Sequence, residues 1–136
     1  MKVRLAAVFL LLSAVGLATA DKADEELERL AQVERFAFGG VGYAGVISAG
    51  EQDFRAILKR PSALHDLERL FAIGNPQAKS YALVGIKKLD RRRFEQLAAS
   101  AQDSALEVRT QSGCIVQQQS FSSVLKKIAA GDYDRY

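Results

Sequence analysis

The feature that most limits the fold is a series of apolar stripes in the middle of the chain. Three stretches carry apolar residues three and four positions apart, the spacing that lines one face of a helix. Those residues are Phe54, Ile57 and Leu58, then Leu64, Leu67, Leu70 and Phe71, and finally Phe94, Leu97, Ala98 and Ala101. Because only short connections separate the stripes, they predict a mainly α fold of antiparallel helical hairpins.

Boundary signals support this pattern. Ser48 and Glu51 match the S-x-x-E capping box, in which each side chain satisfies a free backbone N–H group at a helix start. Pro61 disfavours a helical residue before it, so that helix is expected to end near Arg60. Gly74 is well placed to end the next helix.

A fourth helix is predicted over 76–89, and a fifth follows with Asp90 as its cap. Asn75 caps the fourth helix, and a proline occupies its first turn, where the missing N–H costs nothing. Apolar residues cover most of this helix, so we expect a central and buried position. Its inner face consists of Ala78, Ala82, Gly85, Ile86 and Leu89. The small residues Ala82 and Gly85 would let a neighbouring helix approach closely.

The two flanking regions are less regular. A first helix is predicted over 23–36, where Leu27, Leu30 and Ala31 stand at helical spacing. Apolar residues alternate in the region 105–119, which predicts a short β-hairpin turning at Ser112-Gly113, or else an extended loop.

A last helix is expected near the end of the sequence. Ser122 or Ser123 would cap it, and Gly131 would end it. Residues 132–136 are expected to fray.

The first twenty residues have the pattern of a secretory signal peptide. Lys2 and Arg4 make a basic start, an apolar run follows from Leu5, and Ala18-Thr19-Ala20 is a small-residue cleavage signature. The run is shorter than the roughly 20 residues that a membrane-spanning helix needs. We therefore expect cleavage after Ala20 and a single α-helical domain over 21–136. It would have no transmembrane segment and would be periplasmic or secreted in a bacterium.

Net charge and cysteine content limit what that domain can bind and how it can be stabilised. Two of the 19 Lys and Arg precede the expected cleavage point and all 16 Asp and Glu follow it, which leaves 17 − 16 = +1. So small a charge does not favour nucleic-acid binding. Cys114 is the only cysteine, so no internal disulfide can form and the apolar core must provide the stability.

The stretch from Glu51 to Ala101 resembles units of a HEAT-type helical repeat. The segments GVGYAG, SAGE and YALVGIKKLD are similar to parts of uncharacterised secreted bacterial α-helical proteins. The resemblance implies a HEAT-like stack or an orthogonal bundle of helical hairpins. It assigns no catalytic residues.

Gly40, Gly42 and Gly45 have the G-x-G-x-x-G spacing of a dinucleotide-binding turn. Such a turn needs a buried strand before it and a helix that opens within it. Here a predicted helix comes first, and the next begins at Ser48, after the last glycine. We therefore expect no nucleotide cofactor, and interpret the segment as a Gly-rich connection or a Gly-rich helical segment. The side chains expected to pack on the helices from it are Phe38, Tyr43, Val46 and Ile47.

The sequence has few Cys and His residues that could act as nucleophiles or bind a metal ion. His65 and Cys114 are the only residues of their types, and a Cys-His nucleophilic pair is one interpretation of them. The other is that His65 flanks an apolar stripe and that Cys114 is a small buried hydrophobe. One His and one Cys cannot form a metal cluster, so the sequence predicts no catalytic, cofactor-binding or metal-binding residues.

The strongest local charge feature is KKLDRRR, at the junction of the fourth and fifth helices. We call its cations the basic junction: Lys87, Lys88, Arg91, Arg92 and Arg93. One interpretation is a solvated helix junction. The other is a contact surface for an acidic protein, lipid head groups or a cell-envelope polymer. Together with Tyr43, the basic junction is the candidate partner contact.

These features favour an exported, non-catalytic helical module that binds a protein partner, for example as an inhibitor or an immunity-type protein. One alternative is an envelope hydrolase whose site combines dispersed Ser, Asp and Tyr residues. Another is a protein that binds a small apolar ligand between its helices. The number of subunits is left open.

Overall fold

In the computed structural model, residues 14–136 are described, with side chains from position 21 onward. The described part consists of six helices and two small antiparallel hairpins. The helices are α1 (Ala14–Ala31), α2 (Ala49–Leu58), α3 (Ala63–Ile73), α4 (Pro76–Leu89), α5 (Arg91–Ala101) and α6 (Phe121–Ala130). The strands are β1 (Gly40–Val41), β2 (Val46–Ile47), β3 (Glu107–Ser112) and β4 (Ile115–Ser120). The predicted mainly α fold with a short β-hairpin near 105–119 is confirmed.

Most of the predicted signal peptide lies outside the described residues. α1 runs without a break through the expected cleavage position between Ala20 and Asp21. Beyond that position Leu27, Leu30 and Ala31 are buried, so the segment that would remain after cleavage has core contacts of its own. No helix in the described region has both the length and the apolar character that crossing a bilayer requires.

The prediction that the first helix reaches residue 36 is wrong. α1 ends at Ala31, and Phe36 lies in an extended segment beside β3. The N–H of Phe36 donates to the carbonyl of Arg109 at 2.8 Å, and its carbonyl accepts from Gln111 at 3.0 Å. These bonds with a distant strand replace the helical ones.

α4 lies at the centre of the core, in contact with α3, α5, α6 and β3. A Cβ atom added at Gly85 would lie only 2.5 Å from Cδ1 of Leu67 and 3.0 Å from Cε2 of Phe54. The close approach predicted there is therefore confirmed. Leu89, expected on the inner face, is 46% exposed because it ends the helix at the junction with α5.

The helix caps follow the sequence signals closely. Asn75 accepts a hydrogen bond from the N–H of Ala78 at 2.8 Å, and Asp90 accepts one from Arg93 at 3.0 Å. Ser48 accepts one from Glu51 at 3.2 Å. These local bonds set the starts of α2, α4 and α5.

The start of α6 differs from the prediction. β4 continues to Ser120 and the helix begins at once with Phe121, so the cap is Ser120 rather than Ser122 or Ser123. The Ser120 hydroxyl accepts from the N–H of Ser123 at 3.2 Å. Gly131 ends the helix in the left-handed conformation, with φ at +92°.

The segment 132–136 was expected to fray, but it packs on the core. Tyr133 meets Phe36 edge-on, with ring centroids 5.0 Å apart. Tyr136 stacks on Phe38 at 5.1 Å. Both aromatic rings cover the Phe36–Phe38 segment, so burial of apolar surface holds this part of the chain in place.

Candidate interaction surfaces

The glycine triplet forms a hairpin rather than a strand-to-helix turn. β1 and β2 pair antiparallel, with Val41 opposite Val46, and a loop joins them. Gly42 and Gly45 in this loop have φ values of +70° and +62°, a conformation that favours glycine. The spacing that resembles a dinucleotide fingerprint is therefore explained by turn geometry.

The second hairpin brings its own loop to the first. β3 and β4 are paired from Glu107 opposite Ser120 to Ser112 opposite Ile115. The two-residue loop is Gly113-Cys114, one position later than predicted, with Gly113 at φ +56°. The Gly113 carbonyl accepts a hydrogen bond from Gly42 at 3.0 Å, so the tips of both hairpins meet.

Large apolar side chains are exposed where the hairpin tips meet. Tyr43 is fully exposed, Val46 is 60% exposed and Ile115 is 62% exposed. We call these three residues the hairpin-tip patch. The expectation that Tyr43 and Val46 pack on the helices is wrong, because the hairpin directs them away from the core.

Cys114 is exposed in the same loop, so the expectation of a buried cysteine is also wrong. His65 is exposed on α3, a helix that packs chiefly against α4. Each lies on the surface of a different element. Within the described residues, no group of three or more His, Cys, Asp and Glu side chains could hold a metal ion.

Two buried polar side chains support the segment that leads into the first hairpin. The carboxylate of Glu51, on α2, is fully buried and accepts a hydrogen bond from the N–H of Gly39 at 2.8 Å. Arg55 pairs with the same carboxylate. The predicted capping box is therefore only half formed, because Glu51 reaches the hairpin base instead of the backbone of Ser48.

The second support is Tyr81 on α4. Its hydroxyl donates to the carbonyl of Ala37 at 2.7 Å and accepts from the N–H of Ala37 at 3.0 Å. Burial raises the pKa of Tyr81 to about 12. The hairpin that carries Tyr43 thus rises from a base that is bonded to two helices.

The basic junction is largely paired within the chain. Lys87 bonds with the carboxylate of Asp134 at 3.0 Å and with the carbonyl of Ile128 at 2.9 Å. Lys88 donates to the carbonyls of Asp134 and Tyr136. Both lysines therefore anchor the segment that packs on the aromatic core.

The arginines of the basic junction are partly engaged. Arg91 lies 3.5 Å from Glu95, and Arg93 pairs with Glu68. Arg92 is exposed and makes no side-chain hydrogen bond or ion pair within the described residues. The junction stays a predicted contact surface, but its internal partners reduce the charge that it offers to another molecule.

The surface of the described residues includes a larger and a smaller cleft. The larger, about 650 Å³, is an open groove between α1 and α2 that Lys22, Arg55 and Lys59 line. The smaller, about 340 Å³, lies between the second hairpin, the Phe36–Phe38 segment and the segment 132–136.

Polar side chains line the smaller cleft and bond with one another. Lys127 donates to the amide oxygen of Gln119 at 2.7 Å, and the Gln119 amide donates to Thr110 at 2.8 Å. Tyr133 also lines the cleft, and burial, followed by the charge of Asp132, raises its pKa. The polar lining of this cleft does not favour binding of a small apolar ligand, one of the alternatives that the sequence left open.

Comparison of the chain with protein-family models, curated proteins and solved structures finds no match. The resemblance to HEAT-type secreted proteins stays a prediction. Ile115 is the exposed candidate residue of the hairpin-tip patch that the sequence did not single out. The uncharged, Gln-rich run that follows it was the available signal, since such a strand has little apolar surface with which to bury itself.

Proposed function

We propose that this protein is an exported, non-catalytic module that binds a protein partner through the hairpin-tip patch. The observation that carries this proposal is the fully exposed Tyr43, with Val46 and Ile115 exposed at the meeting point of the two hairpins. Tyrosine is enriched in protein interfaces because its ring supplies large contact area and its hydroxyl can still bond at the rim.

The base of the patch makes that contact more favourable. A loop that is already ordered loses less conformational entropy on binding. The bonds of Glu51 and Tyr81 to Gly39 and Ala37 order the start of the first hairpin, and the bond between Gly42 and Gly113 joins its tip to the second. The basic junction would then add electrostatic steering toward an acidic partner, through Arg92 above all, with which no side chain in the described part of the chain pairs.

Export to the periplasm or beyond is part of the proposal and rests on the signal-peptide pattern. Intact-mass measurement of the protein from the secretory fraction of the producing bacterium should show Asp21 as the first residue. Recovery of the uncleaved chain in the membrane fraction would contradict export as a cleaved protein.

The partner contact is tested by capture from the bacterial envelope with purified bait. Tyr43→Ser combined with Ile115→Ser should lower the recovery of bound partner at least about tenfold, as expected when an aromatic anchor is lost. The matched control is Ile73→Ser, because Ile73 is 57% exposed on α3, away from the hairpin loops.

Circular dichroism of each bait establishes that it is folded. Equal recovery by the double variant and by the wild type would overturn the patch as the contact surface. Equal loss with Ile73→Ser would show that the captured protein responds to general surface hydrophobicity.

A further inference from the structure

The two edges of the larger β-hairpin differ. On the outer edge of β3, the backbone bonds with Phe36 and the bond from Gly42 to Gly113 close the strand. In the described part of the chain, β4 pairs with β3 alone, and no other backbone segment is hydrogen-bonded to its outer edge. Five of its six residues are exposed. β4 is therefore an open edge strand.

The register identifies the backbone groups on that edge. Ser112 and Ile115 flank the two-residue loop and exchange hydrogen bonds, and such pairs alternate along an antiparallel ladder. Gln117 and Gln119 therefore also face β3, whereas Val116 and Gln118 direct their N–H and C=O groups outward. The bonds of Phe36 agree with this alternation, since they use the outward groups of β3.

β4 lacks the features that normally keep an edge strand single. In natural proteins, edge strands of β-sheets carry lysine, proline, a bulge or an inward-pointing charge, each of which prevents pairing with another strand. The sequence of β4, IVQQQS, has no charge and no proline. Its register with β3 continues without a bulge over all six pairs.

We propose that β4 pairs antiparallel with β4 of a second copy of this chain. With the twofold axis at Gln117, Val116 of each copy lies opposite Gln118 of the other. Each outward N–H and C=O group of these two residues then has a partner, which makes four backbone hydrogen bonds across the axis. The two hairpins become one four-stranded sheet.

A second copy fits this edge because the strand is complementary to itself. The Gln117 side chains of the two copies meet at the axis, and each amide can both donate and accept a hydrogen bond. No like charges face each other in this register. Ile115 lies opposite Gln119 of the other copy, at the end of the paired segment, so it borders both the dimer contact and the hairpin-tip patch. Tyr43 is not on β4 and takes no part in the pairing.

The first test is the mass of the exported chain in solution, measured by sedimentation equilibrium over a range of concentrations. The wild type should rise from the mass of one chain to that of two. Gln118→Pro removes one outward N–H from each copy without touching the ladder to β3, and should raise the dimer dissociation constant about tenfold or more. Gln118→Thr keeps the N–H and is the matched control, with a dissociation constant close to that of the wild type.

The second test uses charge at the axis. Gln117→Lys and Gln117→Glu should each weaken self-association, because like charges would stand directly opposite each other. An equimolar mixture of the two variants should recover the two-chain mass. If circular dichroism shows that Gln118→Pro does not fold, the two Gln117 variants test the dimer in its place.

A wild type that keeps the mass of one chain at every concentration would overturn the proposal. So would a dimer that neither Gln118→Pro nor the Gln117 charges weaken. Tyr43→Ser should leave the dimer unchanged, so failure of this proposal is distinguishable from failure of the partner contact.

Discussion

Replacing Tyr81 by Phe removes one oxygen atom from the centre of the protein and leaves two backbone groups without a partner. The hydroxyl is completely buried and bonds with both the N–H and the carbonyl of Ala37. Ala37 is itself buried, so water cannot replace the hydroxyl. The ring stays in place among Phe36, Phe38 and Phe54, so the variant tests the polar contacts alone.

The expected loss of stability comes from the N–H and the carbonyl of Ala37, which lose their hydrogen-bond partner. A buried donor or acceptor left without a partner lowers stability by about 1–3 kcal/mol, and the two groups belong to one residue that can shift slightly. We therefore expect Tyr81→Phe to lower the free energy of unfolding by about 2–4 kcal/mol at pH 8, measured by urea denaturation.

A control distinguishes this loss from the general effect of removing a hydroxyl. The Tyr133 hydroxyl makes no side-chain hydrogen bond within the described residues, and the ring is only partly buried. Tyr133→Phe should therefore change stability by less than about 1 kcal/mol. Equal losses in the two variants would refute the role of the Ala37 bonds.

The pH dependence is a second measure of the same residue. Burial raises the pKa of Tyr81 from 10.0 to about 12, so the stabilising effect is complete below pH 10 and is lost as the pH rises toward 12. The Phe variant has no hydroxyl to ionise at this position. The stability gap between wild type and variant should therefore narrow by about 1 kcal/mol between pH 8 and pH 11. A constant gap would show that the pKa of Tyr81 is the same in the folded and the unfolded chain.

Three further predictions concern packing and the surface. Leu67→Ala should lower the free energy of unfolding by about 2–5 kcal/mol because Leu67 is fully buried against Gly85, whereas Ile73→Ala on the same helix should change it by less than about 1 kcal/mol; similar urea midpoints for the two would contradict the assigned faces of α3. Cys114 should react with a thiol reagent in the folded protein, and Cys114→Ser should leave the urea midpoint unchanged, since the thiol is exposed; reaction only in denaturant would show that it is covered. Replacing all of 91–93 with Ser should lower stability by about 1 kcal/mol or less, because their ion pairs are exposed or only partly buried, and a larger loss in thermal unfolding would give these pairs a structural role.

The starts and ends of the central helices could be predicted from the sequence because they depend on local bonds. Asn75 and Asp90 each bond with a backbone N–H group three residues later, so neither needs the rest of the fold. Pro61 likewise acts on the residue before it. The burial of Leu67 and Phe94 followed from periodicity, since one face of an amphipathic helix must turn to the core.

The residues of the candidate surface could be predicted only in part from the sequence. Tyr43 could be singled out because it stands among glycines, which favour an exposed turn, whereas the exposure of Ile115 depends on where the β3–β4 loop falls. A shift of one residue in that loop reverses which side chains face the core. The loop at Gly113-Cys114, rather than Ser112-Gly113, was decided by pairing across six positions of both strands.

Tertiary structure decided the features that depend on residues far apart in the chain. Phe36 left the predicted helix because β3, more than 70 positions later, bonds with its backbone. Glu51 does not complete the capping box, because its buried carboxylate instead accepts from the N–H of Gly39 and pairs with Arg55. The residues 132–136 packed because Phe36 and Phe38 offer them an aromatic surface that exists only once the core has formed. Local sequence specifies hydrogen bonds within a turn of helix, whereas the partners of these residues come together only when the whole chain folds.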